Sequence, residues 1–145
     1  MLLRALAIWC GLLVVAFVNG AVRTIWLTPA LGGPAAHVIS ALVLSAVVAV
    51  VAWRAIGWLH PYTANEALLI GDEWVLLTIA FEFLAGYYLF GASWDALLAQ
   101  YNVSRGEMWE LVLVTMFVAP LAAAFGHHLI GRRRVISSTH RARFR

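Results

Sequence analysis

Four stretches of the chain, about 5–27, 35–58, 67–91 and 107–130, are each predominantly apolar over 23 to 25 residues. A helix needs about 20 such residues to cross the hydrocarbon core of a bilayer. No water is available there, so each crossing segment must satisfy its own backbone hydrogen bonds. The chain therefore reads as all-α, an integral membrane antiparallel four-helix bundle. It forms one domain over 1–131, followed by a basic tail over 132–145. The composition fits: 63% of residues are hydrophobic and 12% charged, against about 25% charged in a soluble domain.

The connections follow from the breakers. Thr28-Pro29 and Gly32-Gly33-Pro34 are expected to end the first helix and open the second, and His60-Pro61-Tyr62 to end the second. The third connection, Ala92–Gly106, is longer. It sets Trp94, Leu97, Leu98 and Tyr101 at i, i+3, i+4 and i+7. That spacing predicts a short amphipathic helix at the interface, capping the bundle.

All ten basic residues are arginine, and their placement sets orientation. With both termini in the cytoplasm, the inside carries Arg4, Arg54 and six tail arginines, and the outside carries Arg23 and Arg105. The cluster Arg132-Arg133-Arg134 directly follows a hydrophobic segment. It suits anionic lipid headgroups and topology, not nucleic acid, despite a pI near 9.6. The seven tryptophans mostly fall near span ends, as an aromatic belt requires. The competing reading of the first span is a signal peptide cleaved near Val18-Asn19-Gly20-Ala21. The apolar run resumes to Leu27, which favours a retained helix.

Glu82 interrupts the third span. A charge at the centre of a spanning helix costs roughly 2.5–3.5 kcal/mol. Its neighbours on one helical face are Thr78, Ile79, Ala85 and Gly86, mostly small, so that face admits another helix. At 1.5 Å per residue, Glu82 lies roughly 22 Å along its span and Arg23 about 27 Å along the first, both in the outer half. Arg23 is the expected partner, with Asn19 on the same face. His37, Glu110 and Tyr87 belong to the same leaflet and complete a candidate polar cluster. Such a cluster is either a register-fixing ion pair or a polar binding or proton site.

No catalytic constellation, phosphate-cradling loop or dinucleotide fingerprint occurs. The lone Cys10 excludes an internal disulfide and any paired-cysteine motif. His37, Glu82 and Glu110 suit a metal by type, but no local ligand spacing supports one, so no metal or cofactor is expected.

Phe81-Glu82-Phe83, Gly86, Ser93-Trp94, Leu97-Leu98, Tyr101-Asn102, Gly106, Trp109, Leu111-Val112-Leu113 and Pro120 carry a resemblance. The stretch is similar to a family of small four-helix bacterial integral membrane proteins to which no activity is assigned. Gln100 stands where that family often has an acid, and Glu107 where it often has an arginine. The resemblance implies a multi-pass protein of the bacterial inner membrane.

Two function classes follow. The first is a non-enzymatic membrane component, such as a partner subunit, scaffold or assembly factor. Its partners are the bilayer and a membrane protein or a second copy of the chain. The alternative is a small carrier or ligand-binding membrane protein that uses Glu82 as a protonatable site. A membrane-embedded enzyme is the weakest class.

Overall fold

The computed structural model describes residues 1–61, 63–89, 91–99 and 108–127, and the regular structure among them is helical. The helices are α1 (Leu2–Leu31), α2 (Gly33–Leu59), α3 (Ala64–Tyr88), the short α4 (Trp94–Ala99) and α5 (Trp109–Gly126). α1, α2 and α5 are long and apolar enough to cross a membrane. α3 is 25 residues long, but it carries Glu66, Asp72, Glu73 and Glu82.

The first boundary departs from expectation, because Thr28-Pro29 does not end the first helix. Regular α geometry runs over Leu2–Val22, a π turn covers Arg23–Leu27, and α geometry resumes over Thr28–Leu31. In a regular helix the Pro29 ring would press on the carbonyl of Ile25. The wider π turn just before it takes up that misfit. The chain turns instead at Gly32, whose φ of 81° suits glycine. α2 stops at His60 in the left-handed region, with Pro61 behind it. α3 opens on a threonine N-cap: the Thr63 hydroxyl accepts from the Glu66 N–H at 3.1 Å.

The four long helices form a ring. α5 packs against α2 and α3, and α1 packs against the same two, so α1 and α5 sit at opposite corners. Contacts fix the directions. Trp74 Nε1 donates to the Ala5 carbonyl and Trp9 Nε1 to the Thr78 hydroxyl, so α1 and α3 run parallel. Glu82 meets Trp109, while Gly71 lies against Phe117, so α3 and α5 run antiparallel. Arg4 donates to the Trp58 carbonyl at 2.8 Å, bringing the start of α1 to the end of α2.

Trp9 and Trp74 are core residues, not belt residues. A buried indole N–H needs an acceptor, and each finds one across the α1–α3 seam. The Thr78 hydroxyl accepts from the Trp9 indole and donates to the Trp74 backbone carbonyl at 2.7 Å, so it is satisfied in both roles. Trp26, Trp53, Trp58 and Trp94 stay exposed. The outer surface is apolar as well, with Val14, Phe17, Leu42, Val50, Leu76, Leu84, Val114 and Val118 facing outward.

α3 and α5 approach closely at Gly71, where an added Cβ would overlap the Phe117 carbonyl. Gly57 has open space at the same test. Gly71→Ala should therefore lower the unfolding temperature in detergent sharply, whereas Gly57→Ala should leave it unchanged or slightly raised. Thr78→Val should cost about 1–3 kcal/mol, because the Trp9 indole loses its acceptor.

Candidate functional site

One turn of α1 brings the polar groups together. Asn19, Gly20 and Arg23 face the centre of the ring, at the point where α1 changes from α to π geometry. In the π turn the Thr28 N–H reaches back to the Arg23 carbonyl, five residues away. From α2 come His37, Ser40 and Leu44, which share one helical face by their i, i+3, i+7 spacing. α3 contributes Glu82 and α5 contributes Trp109. Together they line a cavity of about 440 Å³. Ligand pockets span roughly 300–1,000 Å³.

The hydrogen bonds within it are specific. The Asn19 side-chain amide donates to the Ser40 hydroxyl at 2.6 Å and contacts the Ser40 carbonyl at 3.3 Å. Trp109 Nε1 donates to the Glu82 carboxylate at 2.9 Å. Arg23 lies 3.3 Å from His37 Nδ1. A guanidinium has no acceptor, so the Arg23 N–H donates and the ring nitrogen accepts.

The partner expected for Glu82 was Arg23, and that pairing is not what forms. Among the described residues no ion pair joins Arg23 to a carboxylate, and its hydrogen-bond partner is His37. The two residues lie at similar height but on different sides of the ring. Arg23 turns toward α2, and Glu82 turns toward α5. Both line the cavity, which separates the cationic wall from the acidic one.

A second cavity of about 430 Å³ adjoins the first. It lies between α1 on one side and α3 and α5 on the other. Its lining is mostly apolar: Trp9, Leu12, Leu13, Phe17, Phe81 and Met116, among others. Ala16, Gly20, Arg23, Glu82 and Trp109 border both spaces.

Of the candidate cluster, Asn19, Arg23, His37 and Glu82 meet in one cavity, and Glu110 and Tyr87 lie outside it. Glu110 follows Trp109 and points about 100° further around α5. Both its carboxylate oxygens are buried without a hydrogen-bond partner. Tyr87 is largely exposed and packs against Tyr88 and Trp94.

Of the candidate cap, Trp94 stacks on Phe83 with ring centres 5.6 Å apart, and Leu98 is exposed. The Leu97 side chain and Tyr101 lie outside the described residues, as do Arg132, Arg133 and Arg134. No described residue of α4 lines either cavity. Among the described residues no three metal-ligating side chains converge.

Sequence reasoning missed Ser40 and Trp109. Ser40 had a signal: it follows His37 by three residues on an otherwise apolar helix, which places both on one face. Trp109 had none beyond its place at a span end. The chain matches no protein family model, and no curated protein or solved structure is detectably similar to it.

A buried carboxylate without a partner is a stability cost of about 1–3 kcal/mol. Glu110→Leu should therefore raise the unfolding temperature. Glu82→Leu should lower it, because it strands the Trp109 indole N–H. Thermal unfolding of the two variants side by side distinguishes the two carboxylates.

Proposed function

We propose that this protein is a non-enzymatic, multi-pass membrane protein that binds a small ligand in the cavity between its helices. The observation that carries this reading is the 440 Å³ space lined by Asn19, Arg23, His37, Ser40, Glu82 and Trp109. The register is already held by the Trp9–Thr78 and Trp74–Ala5 hydrogen bonds, so the polar cluster is not needed to set it. Ionisable side chains facing a cavity inside a membrane bundle commonly mark a binding or proton site. Glu82 is the protonatable member of this one.

The membrane setting rests on three candidate spanning helices and on their apolar outer surface. α3 serves as the fourth span in this reading, with Asp72 and Glu73 toward the inner end and Glu82 turned inward. Arg4 and Arg54 share one end of the bundle, which is the cytoplasmic end by the arginine bias. The site then lies in the outer half. The resemblance noted in the sequence supports a bacterial inner membrane.

The cavity can be filled without touching its charges. Ala16 borders both spaces, and Ala16→Phe places a ring where a ligand would sit. Protein purified in mild detergent should carry a bound small molecule detectable by native mass spectrometry. Ala16→Phe should lose it while remaining folded. If wild-type protein carries no small molecule but retains a stoichiometric partner protein, the scaffold or partner-subunit role replaces this one.

A further inference from the structure

Arg23 brings a cation to the wall of the cavity. Its guanidinium has five N–H donors and a permanent charge. Among the described residues its hydrogen-bond partner is Nδ1 of His37, and no carboxylate pairs with it. A charge held among apolar helices without a counter-charge is costly. An anionic group entering the cavity would give this guanidinium a counter-charge in direct contact.

The two cavities also have opposite character. The chamber toward α2 is polar, with Asn19, His37 and Ser40 on its walls. The chamber toward α3 is apolar, with Trp9, Leu13, Phe17 and Phe81. Small residues separate them. A Cβ added at Gly20 would meet no atom within 4 Å, so the border is open there. Phe17 lines the apolar chamber and is 51% exposed, which puts an edge of that chamber on the outer surface of the bundle. In a membrane that surface faces acyl chains.

We infer that the two chambers form one site for an anionic amphiphile. Its phosphate or carboxylate head pairs with Arg23 in the polar chamber, and its hydrocarbon chain lies along Leu13, Phe17 and Phe81. This inference rests on the ligand-binding reading above and names the ligand class. Entry is sideways from the bilayer, between α1 and α3, so the chain need not cross water. The head replaces lost hydration with charge-assisted hydrogen bonds, which are strong in a poorly hydrated site. A soluble anion could use the same guanidinium but would leave the apolar chamber empty.

The test uses the full chain in neutral detergent with three probes: dihexanoyl phosphatidic acid, dihexanoyl phosphatidylcholine and inorganic phosphate. Binding is read from the ligand dependence of the unfolding temperature. Phosphatidic acid should bind at least about tenfold more tightly than phosphatidylcholine, with no shift from phosphate alone. Arg23→Gln should abolish the preference for the anionic head. Gly20→Leu fits without a backbone clash and closes the passage, so it should weaken phosphatidic acid binding by a similar factor. Equal shifts from the two lipids overturn the anionic head. A shift from phosphate alone that matches phosphatidic acid overturns the amphiphile but leaves a ligand cavity in place. No shift with any probe also overturns the amphiphile, and the copurification experiment with Ala16→Phe then decides independently whether the cavity binds anything.

Discussion

Arg23 carries a permanent charge into a mostly apolar helix, and among the described residues the fold meets it with a ring nitrogen instead of a carboxylate. Much of this end of the bundle is arranged around that fact. The π turn begins at Arg23 and is tied to Pro29 a little further on. α2 presents His37 and Ser40 on the face toward it, and Ser40 holds Asn19, one turn earlier on α1. Glu82, which could have neutralised Arg23, is held on the far wall by Trp109. The result is a cavity with a cationic wall and an acidic wall. A closed ion pair would have left no such space.

The other half of the bundle solves the opposite problem. There the polar groups are satisfied internally and the packing is close. Trp9, Thr78, Trp74 and Ala5 join α1 to α3 through hydrogen bonds between buried groups. Gly71 lets α3 and α5 approach to backbone contact. Leu12, Val48, Ile56, Ile70 and Val112 fill the interior. Such a rigid base makes a cavity at the other end possible, because the helices need no further contact there to keep their register. Stability and site are thus divided along the length of the same four helices.

Much of this was legible in the sequence. Uninterrupted apolar runs fix where helices form, and the small residues around Glu82 indicate its inward face: Thr78 and Ala85 are buried. What the sequence hid has physical causes. At Thr28-Pro29 two rules compete, the breaking tendency of proline and the continuing helix, and the π turn reconciles them. Rise per residue gives the height of Arg23 and Glu82 but not their position around the ring, so equal depth suggested a pairing that geometry does not make. Trp9, Trp74 and Trp109 were read by their distance from span ends. The need of each indole N–H for an acceptor decides their places, and that acceptor lies on a distant helix. The surroundings of Glu110 were equally hidden, since burial is a property of the assembled bundle.

The central claim is that Arg23 faces an open, ligand-accepting cavity. A crystal structure of the protein grown from a lipidic phase tests it most directly. The account predicts ordered non-protein density against the Arg23 guanidinium, with an elongated tail running past Gly20 toward Phe17. A collapsed cavity in which Arg23 and Glu82 form a direct ion pair would contradict it.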